Sequence, residues 1–157
     1  MLDIGIGTGN AAGLLVNKGF EVYGIDISQK MLDKCAEKFP SINLKMGDFL
    51  DIPFKDETFD LIISGYALHH LTKNEKSKAI SLFNDYLSPK GAVIIYDVMF
   101  YDDTELYKGQ EALGDRYDYD EHYCIVTDLK AFFQDAGFTA DVRRLTEYVW
   151  MASATRG

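Results

Sequence analysis

Residues 1–10 read MLDIGIGTGN, and the reading of this stretch decides the fold. Met1 to Ile4 has strand character and runs straight into Gly5-Ile6-Gly7-Thr8-Gly9. Ala11, Leu14 and Leu15 then mark one face of a helix that stops near Gly19. A strand that passes through a glycine-rich turn into a helix leaves backbone N–H groups open to a ligand, with no Cβ in the way. The spacing is G-x-G-x-G. A nicotinamide or flavin fingerprint, G-x-G-x-x-G, needs its third glycine at position 10, where this chain has Asn10.

Outward from that turn, short apolar runs alternate with amphipathic segments, the pattern of a parallel sheet covered by helices on both faces. EVYGID is a second strand ending at Asp26, and Ser28 is placed to cap a helix carrying Met31, Leu32, Cys35 and Phe39. INLKMGD gives a third strand and FDLIISG a fourth, buried on both faces. Thr72 with Glu75 forms a capping box for a helix that buries Ala79, Ile80, Phe83, Tyr86 and Leu87 and ends at SPKG. AVIIYDV is the fifth strand. Residues 101–123 break the alternation, a last helix carries Leu129, Phe132, Phe133 and Ala136, and TADVRRLTEYVWMAS reads as an antiparallel hairpin.

Acidic residues stand where a nucleoside ligand would need them. Asp26 ends the second strand about 20 residues after the turn, where a carboxylate can accept from both ribose hydroxyls of an adenosine-type or NAD-type ligand. Asp48, beside Phe49, suits an exocyclic amine with a ring packed on it. Asp3 lies within the first strand, where a carboxylate is costly unless it orients the turn or faces a cation.

Composition narrows the class. A chain of 157 residues, 47% hydrophobic and 13% aromatic, is one folded domain, 1–157. A net charge of −9 disfavours nucleic acid, whose affinity rests on Lys and Arg. No apolar run approaches the roughly 20 residues of a membrane span, so the expectation is a cytoplasmic protein with no membrane partner. Cys35 and Cys124 have no partners at ligand spacing and read as reduced, structural thiols; no metal site is expected.

LDIGIGTGN, EVYGIDIS, GDFLDIPF, FDLIISGYALHHL and YLSPKGAVIIYD, in that order, resemble the motif succession of class I S-adenosylmethionine-dependent methyltransferases. The tail, FFQDAGFTADVRRLTEYVW, resembles a group of small bacterial methyltransferases of unassigned substrate. The resemblance implies a Rossmann-like three-layer α/β/α sandwich with a mostly parallel seven-stranded sheet, order 3-2-1-4-5-7-6 and strand 7 antiparallel. It implies that Asp3, Gly5, Gly7 and Gly9 hold the methionine part of S-adenosyl-L-methionine. It further implies that Asp26 binds the ribose, that Ile27 packs on the adenine, that Asp48 and Phe49 take the adenine N6 and ring, and that Ser64, after the fourth strand, offers its carbonyl to the ammonium group. Met31 reads as core by its helical spacing, with contact to the adenine as the other reading.

Methyl transfer needs alignment of the acceptor and, for some acceptors, a proton acceptor. His69, His70 and Asp97 are the candidates for that task, with Asp97 expected to point into the cleft. Tyr66 and Tyr96 read either as pocket walls or as core. Residues 102–121 hold eight acids against Lys108 and Arg116, a local charge of −6, and read as a substrate-lid insertion favouring a small-molecule acceptor such as an amine. Two other readings stay open: an NAD(P)-dependent oxidoreductase and a non-catalytic cofactor-binding domain. Members of that family carry leading helices before the first strand, so the expectation is that the natural chain starts further upstream, that this chain is trimmed, or that another subunit covers that face. A naturally short chain would form a homodimer.

Overall fold

The computed structural model describes residues Met1–Gly157. In chain order the elements are β1 (Leu2–Ile4), α1 (Ala12–Val16), β2 (Tyr23–Asp26), α2 (Gln29–Lys38), β3 (Asn43–Met46), β4 (Phe59–Gly65), α3 (Lys73–Tyr86), β5 (Leu87–Phe100), α4 (Asp103–Leu113), β6 (Cys124–Ile125), α5 (Val126–Asp135), β7 (Phe138–Arg144) and β8 (Val149–Arg156). Seven strands run β3-β2-β1-β4-β5-β8-β7, and β6 pairs with the far end of β5. The neighbours from β3 to β5 are parallel, while β8 is antiparallel to both β5 and β7. This is the expected order, with the terminal hairpin strands numbered 7 and 8 because β6 intervenes. Only two residues long, β6 carries no periodicity that a sequence pattern could register.

The apolar residues divide between two clusters, as a sheet covered on both faces requires. The larger contains 25 buried residues, among them Ile62, Ile80, Phe83, Val93, Leu129 and Phe133, and packs α3 and α5 against the central strands. The smaller, Ile6, Ala12, Val22, Leu32, Cys35 and Ile42, joins α1 and α2 to the other side. Helix starts follow the sequence closely. Ser28 Oγ accepts from the Met31 N–H at the head of α2, and Thr72 and Glu75 form the capping box of α3. These bonds satisfy backbone donors that have no partner within a helix.

Three expectations need correction. First, α1 has five residues and faces inward through Ala12 and Gly13, leaving Leu14 67% exposed. The Phe39 ring fills the space over Gly13, where a Cβ would come within 2.2 Å of it, so the helix presents its smallest residues there. Second, α3 ends just before SPKG as expected, but Leu87 is not on its buried face: it already pairs with Phe59, and Ser88, Pro89, Lys90 and Gly91 lie within β5, which starts ahead of AVIIYDV. Third, Met31 is not a core residue: α2 buries Leu32 and Cys35, and Met31 beside them is turned outward.

Phe83 lies fully buried in the larger cluster. Phe83→Ala is expected to lower unfolding stability by about 3–5 kcal/mol, whereas Leu14→Ala leaves the denaturation midpoint unchanged. Chemical denaturation of the two variants checks this, and equal midpoints would contradict the placement of the core.

Candidate functional site

The carboxyl ends of β1, β2 and β4 open onto a cleft of about 690 Å³, lined by residues 5–8 of the glycine turn on one side and by residues 65–67 on the other, whereas Gly9, expected beside Gly5 and Gly7, is buried against Cys35 and Phe39 and does not line it. The turn is hooked to the neighbouring strand, because the Gly5 and Ile6 N–H groups both donate to the Ile25 carbonyl at 2.9 and 3.0 Å. Gly5 has φ of 73°, in the left-handed region, and a Cβ there would lie 2.5 Å from the Ala67 Cβ. Conformation and space therefore both exclude a side chain. Gly7 also has a positive φ, yet a Cβ added to it would meet nothing within 4 Å. That open ground is on the cleft side of the turn, since Gly7 itself lines the cleft.

Asp26 ends β2 and clasps the turn. Its Oδ2 accepts from the Gly7 N–H at 2.9 Å, and its Oδ1 accepts from the Ser28 N–H at 2.8 Å. A carboxylate has about four lone-pair sites, so two remain for hydroxyl donors in the cleft. Ile27, 70% exposed, and Met31 stand on one flank of the same cleft, with Phe49 buried beneath. The exposed Asp48 also lines the cleft, while its Oδ1 accepts from the Leu50 and Asp51 N–H groups. That turn holds the carboxylate in place and leaves Oδ2 free of backbone donors.

Asp3 is buried at the cleft floor, and burial, reinforced by the negative charge of Asp26, pushes its carboxyl up to about 7. Tyr96, also lining the cleft, has its phenol pushed up by burial and by Asp3 and Tyr66, so it is a neutral donor. Its ring lies so close to Gly65 that a Cβ there would come within 2.1 Å of it. Tyr66 packs edge-on against Tyr96, with ring centroids 5.4 Å apart, and is the one non-glycine residue with positive φ, 53°. Such a conformation costs about 1 kcal/mol or more in a side-chain-bearing residue. The Tyr66 N–H donation to the Tyr96 carbonyl helps hold it.

Ser64 does not stand after β4 as expected. It is buried inside the strand, and its hydroxyl donates to the Ile4 carbonyl at 2.8 Å, joining β4 to β1. The cleft on this side is formed instead by Gly65, Tyr66 and Ala67.

Asp97 also departs from expectation. It is completely buried in β5 and does not line the cleft, because three donors turn it toward the loop after β4. Its Oδ1 pairs with His69 Nδ1 at 2.7 Å and accepts from the Val98 N–H, while its Oδ2 accepts from the His69 N–H. Asp97 therefore fixes both the backbone and the ring of His69. Burial opposes charge on that imidazole, but the bond and charge of Asp97, with Glu121 behind them, outweigh it and raise its pKa. Of the three residues expected to handle a proton, only His70 reaches the cleft wall, and its Nδ1 lies 2.9 Å from Glu121 Oε2.

The acidic segment contributes less to the cleft than its charge implies. Asp102 caps α4, Glu105 pairs with Arg144 and accepts from the Tyr101 N–H, and Asp118 accepts from the Asp120 N–H. Glu121 is the acid that reaches the histidines. Just beyond it, the His122 N–H donates to the His69 carbonyl, and the buried Lys76 ammonium holds the carbonyls of His122 and Leu71. The end of the insertion is thus pinned to the cleft rim. Lys76, Glu121 and Cys124 also border a second cavity of about 310 Å³ behind that rim. Burial pushes the Cys124 thiol up to about 12, which removes it as a nucleophile.

The cleft fits S-adenosylmethionine on its own geometry. It offers open space over Gly7, spare acceptors on Asp26, apolar lining from Ile27, Met31 and Phe49, and the buried carboxyl of Asp3. A family described as "Methyltransferase domain" matches residues 1–91. The chain is 35% identical to an uncharacterized methyltransferase of Alkaliphilus oremlandii, over 99% of this chain and 75% of that one. It is 34% identical to another of Oceanobacillus iheyensis, over 99% and 76%. Among solved structures, an S-adenosylmethionine-dependent methyltransferase from Clostridium acetobutylicum has a TM-score of 0.82 at 18% identity, covering 99% of this chain and 83% of that one. The magnesium protoporphyrin IX methyltransferase from Synechocystis PCC 6803, solved with SAH bound, has a TM-score of 0.79 at 20% identity, covering 99% and 73%. A fold of this order, a glycine turn clasped by Asp26 and these relatives agree: the chain belongs to the class I S-adenosylmethionine-dependent methyltransferases.

Proposed function

We propose that this chain transfers the methyl group of S-adenosylmethionine to a small-molecule acceptor that enters beside Tyr66, Tyr96 and His70. The observation that carries this reading is the Asp26 clasp, which holds the glycine turn open toward the cleft while keeping lone pairs free for ribose hydroxyls. When bound, the cofactor supplies an electrophilic methyl group on sulfur, and the protein's task is alignment.

The residues divide that task by position. Asp26 takes the ribose, Ile27, Met31 and Phe49 enclose the adenine, and Asp48 turns its free oxygen to the adenine amine. Asp3 faces the ammonium end above the glycine turn. Tyr66, Tyr96 and His70 form the wall on the acceptor side, and Asp97 acts through His69 as a positioning residue. A cleft of about 690 Å³ is within the range of small-molecule sites. The net charge of −9 disfavours a nucleic-acid acceptor.

Binding and turnover are separable. S-adenosylhomocysteine is expected to raise the melting temperature and NADH to leave it unchanged; the reverse would favour an oxidoreductase. Release of S-adenosylhomocysteine is then measured across a panel of amines, carboxylic acids, phenols and thiols. Turnover on the amines would support the acceptor class favoured by the acidic segment. Binding without turnover on any acceptor would favour a cofactor-binding domain.

Asp3 sets a pH dependence. Its carboxyl titrates near 7 in the folded chain and near 3.8 when unfolded, so the folded state binds more protons between these values. This contribution to stability is fully present below about pH 4 and is lost as pH rises through 7. A cationic ammonium group favours the ionised carboxyl, which makes cofactor affinity run the opposite way. The affinity for S-adenosylhomocysteine is expected to rise with pH, by up to about tenfold per unit below 7, and then level off. Asp3→Asn flattens that profile; calorimetric titration at several pH values checks it, and an unchanged slope in the variant would remove Asp3 from the site.

A further inference from the structure

We infer that His69, His70 and Glu121 form a binding site for a divalent transition-metal ion of the Zn²⁺ type on the rim of the cofactor cleft. One ligand atom from each lies within 4.8 Å of the others, and no role in holding the cofactor engages them. The two cysteines, without partners at ligand spacing, suggest no metal site. The donors are instead two adjacent histidines and an acid 51 residues away, brought together when the insertion folds back onto the loop after β4.

The hydrogen bonding fixes which atoms are available. The buried Asp97 already accepts from two backbone N–H groups, so as a carboxylate it also accepts from His69 Nδ1–H. That leaves His69 Nε2 as the outward nitrogen, 3.8 Å from Glu121 Oε2. This is too long for a hydrogen bond. His70 Nδ1 lies 2.9 Å from the same oxygen. Ligand atoms on bonds of about 2.0–2.2 Å around a tetrahedral metal lie roughly 3.3–3.5 Å apart, so the two distances bracket the edge of such a site.

The support around the donors is that of a metal centre. A ligating histidine commonly gives its other ring N–H to a carboxylate, which fixes the ring and raises its basicity, and Asp97 does this for His69. Two imidazoles and one carboxylate suit Zn²⁺ and its neighbours in the first transition row, while Mg²⁺ and Ca²⁺ demand oxygen ligands. Asp97 and Glu121 place negative charge beside His69, and the nearby Lys76 ammonium, tied to the Leu71 and His122 carbonyls, offsets part of it. Three protein ligands leave one position open on a tetrahedral ion, and since His70 lines the cleft, a hydroxyl, carboxylate or thiol of an acceptor there could complete the shell.

The test titrates ZnCl₂ into the metal-stripped protein by calorimetry, with MgCl₂ alongside. The site predicts one equivalent of Zn²⁺ bound and no Mg²⁺. Glu121→Gln and His70→Gln should each weaken Zn²⁺ by at least about tenfold, the lower end of what loss of a supporting carboxylate alone costs. His122→Gln, which changes the remaining histidine next to Glu121 in sequence, should bind as the parent does. Thermal shift with S-adenosylhomocysteine on every variant shows whether it is folded and whether the cofactor site is intact, so failure of the metal site and failure of the methyltransferase reading are told apart. Absence of Zn²⁺ binding, or binding that survives both Glu121→Gln and His70→Gln, overturns the site and leaves a proton as what joins the three side chains.

Discussion

The carboxylate of Asp26 is the point on which the rest of the site depends. It receives Gly7 from the turn after β1 and Ser28 from the turn before α2. One side chain therefore joins the turn after β1 to the turn before α2. The turn adds its own hooks, through the Gly5 and Ile6 N–H groups on Ile25, and the positive φ of Gly5 carries it under Ala67. Once these are set, the helix start at Ser28, the exposure of Ile27 and the opening of the cleft follow from chain geometry.

A second constraint governs the opposite rim. Asp97 is completely buried and is stabilised by three donors, two of them from His69. Burying a carboxylate is costly unless its oxygens are satisfied, so the loop carrying His69 and His70 is held where those donors reach. Glu121, the His122 N–H and Lys76 then lock the end of the acidic insertion onto the same loop. The two rims are thus built alike: an acid at a strand, backbone N–H groups closing on it, and a loop placed over the cleft as the result.

Much of this was legible in the sequence because it is local. The strand and turn after Met1, the cap at Ser28, the capping box at Thr72 and the position of Asp26 at the end of its strand are all short-range patterns, and the structure has them where the sequence put them. The strand order followed from motif resemblance together with the terminal hairpin. What escaped depends on tertiary packing. The outward turn of Leu14 reflects Phe39 filling the space over Gly13, and the inward turn of Asp97 reflects donors from a loop 28 residues away. Ser64, expected after the fourth strand with its carbonyl toward the cleft, lies within β4, where the strand runs one residue further, to Gly65. Tyr66 carries the most distinctive backbone in the cleft, yet nothing in the chain's pattern marks a tyrosine for positive φ. The meeting of Glu121 with the two histidines, across 51 residues, had no sequence signal at all.

The central claim is that Asp26 both clasps the glycine turn and receives the ribose of S-adenosylmethionine. Its most direct measurement is calorimetric titration of S-adenosylhomocysteine into the parent chain and into Asp26→Asn, which keeps the shape but exchanges an acceptor oxygen for a donor. The account predicts one equivalent bound by the parent and affinity at least about tenfold weaker in the variant, since a hydrogen bond to a charged group is worth roughly 1.5–3 kcal/mol. Equal affinity in the two would contradict it.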